Sequence, residues 1–186
     1  MDQKLSHEEM KEYIIKKCIP YTIVYKPHLY RLIDLIFEIN QMKVEGSIVE
    51  CGVFKGGCMM IMAYTQLIFD SVRDLYLYDT YDGMSPPSEK DGEFRIDNYN
   101  KVSSGELKYT YDEHHNENKW VFCDLETVQE NMKLTQYPHK KVHYVKGDVV
   151  QTLQSTVPDK IAFLRLDTDF YESTKAELDV LYPKLE

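Results

Sequence analysis

Four carboxylates stand where short apolar runs end: Glu50 in SIVEC, Asp79 in DLYLYD, Asp148 in KVHYVKGD and Asp167 in IAFLRLD. The first runs into glycines at 52, 56 and 57, in the stretch SIVECGVFKGG. A glycine loop after a strand often holds phosphate, but no Gly-Lys-Ser/Thr follows and the spacing departs from the dinucleotide fingerprint. Glu50 would repel a pyrophosphate. A carboxylate there suits a ligand that carries an ammonium group. Asp79 falls where a ribose-binding acid belongs in a nucleoside site, and Asp148 closes the next run. Asp148 and Gln151 also have the spacing of a helix capping box, which would make Asp148 purely structural. An amino acid joined to a nucleoside without phosphate satisfies the three acids together, and S-adenosylmethionine is that molecule.

The elements that must position these acids are legible in outline. Ser6 and Glu9 form a capping box that opens a first helix towards Lys17, and Pro27 suits the first turn of a second. In PHLYRLIDLIFEINQM the apolar residues Leu29, Leu32, Ile33, Ile36 and Phe37 recur at three and four, one face of an amphipathic helix. Strands are expected at 47–51, 74–79, 141–148 and 161–167. Helices are expected at 56–69, at 125–134 behind an Asp124 cap, and after Asp169. Short apolar runs alternating with helical sequence predict parallel strands with right-handed crossovers, so the acids gather at one end of a sheet. The segment 81–119 is polar, broken by Gly and Pro and dotted with tyrosines; it reads as a lid inserted without secondary structure. The division is then an N-terminal helical segment, 1–45, and a core, 46–186.

Composition narrows the function. A net charge of -9 excludes a phosphate-backbone binder, so no nucleic-acid partner is expected. No apolar run reaches membrane length and the first residues lack a signal-peptide core, so the expected location is cytoplasmic with no membrane partner. Cys18, Cys51, Cys58 and Cys123 show no metal-finger spacing and read as buried thiols.

The stretches VECGVFKGG, YDTYDGM, KGDVVQTL and FLRLDTDFYESTKAELDVLYPKL together resemble the macrocin/mycinamicin-type sugar O-methyltransferases, a family of class I methyltransferases. The resemblance covers most of the chain from Glu45 onward. It implies an α/β fold: a doubly wound, mostly parallel Rossmann-like sheet with N-terminal helices and a long lid. It also implies S-adenosylmethionine as methyl donor, a divalent metal such as Mg2+, a sugar hydroxyl of a small molecule or glycan as acceptor, and a homo-oligomer with contacts through the N-terminal helices. By the same resemblance Glu50 engages the methionine end, and Gly52, Val53, Phe54, Gly56 and Gly57 let the cofactor approach the backbone. Asp79 and Thr80 take the ribose, with Asp148 and Val149 near the adenine. Family members carry a fifth strand ending in paired acids, then further strands; the chain stops at Glu186 and reads as C-terminally truncated.

Asp167 is the residue expected to do chemistry, as a metal ligand at the mouth of the fourth strand. A coordinated hydroxyl loses its proton more easily and is held in line with the methyl group. Asp169 has capping-box spacing with Glu172 and is expected to cap the last helix rather than join the metal. His114 and His115 are candidate general bases in the lid, and Trp120 a surface for a sugar ring. His139 and His143 read as structural. The alternatives are a non-catalytic S-adenosylmethionine-binding or interaction module and, more remotely, a nucleotide-dependent oxidoreductase.

Overall fold

The computed structural model describes residues 6–108 and 119–186. Two helices, α1 (His7–Cys18) and α2 (Lys26–Gln41), precede the sheet. The capping box of Ser6 and Glu9 is formed at the start of α1, and Pro27 lies in the first turn of α2. The core then runs β1 (Ser47–Cys51), α3 (Gly57–Ile68), β2 (Leu75–Asp79), α4 (Glu93–Ser103), α5 (Leu125–Lys133), β3 (Val142–Lys146), α6 (Val149–Thr152), β4 (Ile161–Leu166) and α7 (Tyr171–Val180). The four strands lie in the order β3-β2-β1-β4 and every pairing is parallel. The chain therefore steps outward from β1 to β3 and then crosses back to β4. The direction reverses between β1 and β4, which is where an open α/β sheet binds its ligand.

The period of two along each strand divides the core. Ile48, Leu75 and Leu77 face α1, α2 and α3, while Val49, Cys51, Tyr78 and Ile161 face α6 and α7. Both faces are covered, as a parallel sheet requires.

Two expectations fail. The segment 81–119 is not without secondary structure: α4 occupies its middle. Gly92 precedes α4 with no side-chain cap, and of the helix's residues only Val102 is buried, so neither a start signal nor an apolar stripe marks it. Val102 joins Trp120 and Phe170 in a small separate core, where Trp120 packs edge-on to Phe170 and also lines the cavity at the strand ends. Nor does Asp169 cap α7. The cap position is Phe170, and the carboxylate of Asp91 accepts the Tyr171 N–H from across the chain. His114 and His115 lie outside the described residues. His143 pairs with Asp74 and stacks on Tyr76, at the end of the sheet remote from the acids.

Glu177 of α7 is wholly buried beneath the sheet, and neither carboxylate oxygen has a hydrogen-bond partner among the described residues. The polar groups against it are the Thr168 hydroxyl and the Cys51 thiol. Burial pushes its carboxyl up to about 7, against an ordinary 4.5, with a smaller push from Asp167. A folded-state value above the unfolded one means that the stabilising proton is fully held below 4.5 and lost as pH rises through 7. Glu177→Gln should therefore leave stability nearly unchanged at about pH 5 and raise it by on the order of 3 kcal/mol at about pH 8. Denaturant unfolding at both pH values checks this; equal effects at the two would show that Glu177 does not titrate in this range.

Candidate active site

A cavity of about 330 Å³ opens at the carboxyl ends of the strands, over the reversal between β1 and β4. Glu50, Asp79, Asp148 and Asp167 all line it, so the sheet brings the four strand-end acids together. Gly52, Val53, Phe54, Thr80 and Val149 line it too. Gly56 and Gly57 do not. Gly56 supplies the left-handed turn at φ +88° that opens α3, and a side chain at Gly57 would strike the Tyr21 carbonyl at 2.6 Å, so one serves the turn and the other close packing. Gly52 lines the cavity and permits a close approach of backbone: at φ +81° a Cβ there would stand 2.3 Å from the Asp167 carbonyl oxygen.

Glu50 faces the α3 side of the sheet and is 1% exposed. Its register partner on β4 is Arg165, whose Nη1 donates to Glu50 Oε1 at 2.9 Å. The other nitrogen of the fork donates to Asp167 Oδ2 at 2.8 Å. Burial pushes the Glu50 carboxyl up to about 7; Arg165 opposes this and the charges of Asp167 and Asp79 add to it. Burial works against the charge of Arg165, and Glu50, Cys58 and Asp167 together outweigh it, holding the guanidinium more firmly protonated than usual. Glu50 Oε2 has no hydrogen-bond partner among the described residues. A buried, unpaired carboxylate oxygen beside a cavity has an unmet demand for a donor.

Asp79 is built differently. Its Oδ2 accepts the backbone N–H of Val53 at 2.7 Å and of Phe54 at 3.1 Å; its Oδ1 accepts the N–H of Tyr81 at 2.8 Å. Burial pushes its carboxyl up, against the pull of these backbone donors. The carboxylate thus ties the β1–α3 loop to the end of β2 and holds Phe54 at φ 51°, a left-handed conformation that needs support. Asp148 caps α6 through the Val150 N–H, and its second oxygen accepts the Ser85 hydroxyl. The bond to Val150 goes to the second residue of α6 and not to Gln151, which makes no return bond among the described residues, so Asp148 is a simple cap without the box.

Asp167, expected as a metal ligand, is instead paired with Arg165. Among the described residues no three His, Cys, Asp or Glu side chains converge to hold a metal ion. One engaged carboxylate and its neighbour Asp169 are fewer fixed oxygens than a hard cation needs, so these residues do not fit magnesium. Asp169, at φ 67°, lines the cavity with no hydrogen-bond partner among the described residues. Desolvation and then the charge of Asp167 hold its carboxyl above the usual value, and Arg95 opposes them.

Sequence reasoning passed over Arg165, Ser85 and the wall Thr22–Val24, all of which line the cavity. For Arg165 a signal was present: it is the one charged residue inside the run IAFLRL. Nothing in the sequence marks Thr22 or Ser85.

A doubly wound parallel sheet with a glycine loop, acids at the strand ends and a cavity at the reversal point is a Rossmann-like architecture, with the cavity where such sheets hold their ligands. The family described as Macrocin-O-methyltransferase (TylF) matches residues 15–186, and the chain belongs to it. Demethyldecarbamoylnovobiocin O-methyltransferase of Streptomyces niveus is 28% identical over 167 residues, 89% of this chain and 58% of that protein. The 8-demethyl-8-(2,3-dimethoxy-alpha-L-rhamnosyl)-tetracenomycin-C 4'-O-methyltransferase of Streptomyces olivaceus is 28% identical over 76% of this chain and 49% of its own length. The chain thus spans about half to three fifths of these relatives. The structure of the O-methyltransferase NovP superposes with a TM-score of 0.72 at 24% identity, over 89% of this chain and 63% of that one. CalS11, a calicheamicin methyltransferase, gives 0.61 at 19% identity over 99% and 76%. At these identities the two structures speak to the fold. Among the described residues no helix is long and apolar enough to cross a membrane.

The bonds of Asp79 make it a strut for the loop even without ligand. Asp79→Asn puts an amide N–H against backbone donors and should cost about 2 kcal/mol of stability in the ligand-free protein. Thermal unfolding without ligand measures it; an unchanged Tm would mean that the loop holds itself.

Proposed function

We propose that the chain binds S-adenosylmethionine and transfers its methyl group to a sugar hydroxyl of a small molecule or glycan. Family membership supports the class of reaction, and the names of the relatives support the acceptor: a novobiocin precursor and a rhamnosyl-tetracenomycin. One observation in the site carries the donor reading: a single cavity at the strand ends is lined by Glu50, one of whose buried oxygens has no hydrogen-bond partner among the described residues, and by Asp148. A ligand with an ammonium group at one end and a nucleoside at the other meets both.

The donor supplies an electrophilic methyl group on a sulfonium centre. The chain's task is to hold it and to accept a proton. Glu50 orients the amino-acid end, Gly52 lets the ligand lie against the backbone, and Asp148 with Val149 faces the base. Asp79, with its oxygens already engaged by the loop, supports this surface and leaves Thr80 beside the ribose. Of the acids lining the cavity, Asp169 alone has no hydrogen bond among the described residues, and its raised proton affinity suits the base that takes the hydroxyl proton. No step is derived through a metal. Exposed Tyr13, Ile19, Ile23 and Tyr25 on and after α1 support the homo-oligomer contact through the N-terminal helices.

A second reading, donor binding without turnover, is favoured by the pairing of Asp167 with Arg165 in place of a metal site. Calorimetry with S-adenosylmethionine, followed by release of S-adenosylhomocysteine over a panel of deoxysugar glycosides and TDP-rhamnose, separates the two. Saturable binding with release supports methyl transfer; binding without release supports the second reading; no binding overturns both. Where turnover is seen, Asp169→Asn should lower it about 100-fold or more with donor affinity unchanged. A rate within a few-fold of wild type would remove Asp169 from the proton's path.

A further inference from the structure

Taking a proton from a sugar hydroxyl leaves negative charge on its oxygen, and a site that speeds this step aims a positive group at that oxygen. A divalent metal is the group the sequence leads one to expect, and the acids around Asp167 do not fit it. Among the described residues the cations lining the cavity are Arg165 and Arg95. Arg165 is already bound to Glu50 and Asp167. The guanidinium of Arg95, in the first turn of α4, makes no hydrogen bond or ion pair among the described residues. The lysines around it are paired: Lys90 with Glu172, Lys101 with Asp97 and Lys175 with Asp179. Asp91, four residues before Arg95, is occupied by the Ser88 N–H and hydroxyl and by the Tyr171 N–H. That last bond ties the start of α4 to the start of α7, two residues beyond Asp169, so Arg95 and Asp169 line the same cavity from its two sides. One offers only donors and the other only acceptors, and neither has a partner.

We propose that Arg95 is the catalytic cation of this site: its guanidinium donates to the acceptor oxygen while Asp169 takes the proton, and methyl transfer needs no divalent metal. This rests on the proposed methyl transfer, with Asp169 as its base. The hydroxyl proton passes to the Asp169 carboxylate. The oxygen's electron pair forms the bond to the methyl carbon, and the carbon–sulfur bond breaks with its electrons going to sulfur, which leaves a neutral thioether. Arg95 keeps its proton throughout. A hydroxyl between the two side chains is held by its proton on one side and its lone pair on the other. The charge of Arg95 also draws the Asp169 carboxyl down, against desolvation and the charge of Asp167, and so keeps the base ionised before the step. Arg95 is exposed in the ligand-free chain, and an acceptor seated between α4 and α7 displaces the water that screens it.

The test measures release of S-adenosylhomocysteine over the acceptor panel, and the dissociation constant for S-adenosylmethionine by calorimetry. Wild type, Arg95→Met and Arg95→Lys are each assayed in EDTA and in excess Mg2+. The wild-type rate in EDTA should lie within about twofold of that in Mg2+. Arg95→Met should lower kcat about 100-fold, the usual cost of removing one donor to a developing oxyanion, with donor affinity unchanged. Arg95→Lys, which keeps the charge but not the fork, should fall between the two. Turnover lost in EDTA and restored by Mg2+ overturns the proposal and leaves methyl transfer standing. So does a rate for Arg95→Met within a few-fold of wild type, or a loss in Arg95→Met that donor binding shares, which marks a packing role. Donor binding with no release from any acceptor overturns methyl transfer and the role of Arg95 with it.

Discussion

The contact between Glu50 and Arg165 is the constraint around which the rest of the site is arranged. A carboxylate with 1% exposure has lost its water, and the desolvation cost is several kcal/mol before any partner is counted. The guanidinium at 2.9 Å offsets part of that cost and is itself anchored by Asp167. Two apolar residues in the same register would stabilise the sheet at least as well. The pair therefore cannot be understood as a stabilising device. What it does is place a polar floor at the point where the chain reverses direction, between two strands whose other neighbours are apolar.

That floor is rigid for reasons that can be named. Gly52 lets the β1–α3 loop approach the Asp167 carbonyl, which joins the ends of β1 and β4. Asp79 draws the same loop towards β2 with backbone hydrogen bonds. Phe54, Tyr81 and Asp169 are held at positive φ around the rim, each costing on the order of 1–3 kcal/mol that the surrounding bonds must offset. The opposite wall is held less firmly. α4 is anchored by the small Trp120–Phe170 core, by the Asp91 bond to the Tyr171 N–H and by the exposed ion pair of Lys90 with Glu172. Exposed pairs of that kind contribute little. The cavity thus has a fixed floor and a wall of lower local stability, the combination expected where a ligand must enter and be covered.

How much of this could be read from residues alone follows from which forces act locally. Strands, their acids and the helix caps of Ser6 and Asp124 depend on short-range patterning, and the sequence displays that patterning openly. α4 has no cap and almost no buried face, so only its packing against Phe170 and Trp120 reveals it. The proposed cap role of Asp169 failed because a distant residue, Asp91, supplies the bond that local spacing assigned to a neighbour. Arg165 was visible as a charge in an apolar strand, but its partner is 115 residues away and only the register brings the two together. Spacing identifies a carboxylate; it does not say what already occupies its oxygens.

Occupancy of those oxygens is what separates otherwise similar acids into different tasks. Asp79 has both oxygens committed to backbone donors and can hold a loop but has little left for a ligand. Asp148 is committed to its helix and to Ser85. Asp167 and Glu50 each have one oxygen on Arg165 and are half committed, and Asp169 has no hydrogen bond among the described residues. An acid with committed oxygens gives shape, a half-committed one gives recognition, and an uncommitted one in a desolvated corner is free to take a proton. The cavity holds all three kinds, and under the proposed function their order from β2 across β1 to the loop after β4 runs from support, through recognition, to chemistry. That ordering follows from the sheet: the central strand is the most buried, and the loop beyond the fourth strand is the least constrained by backbone donors.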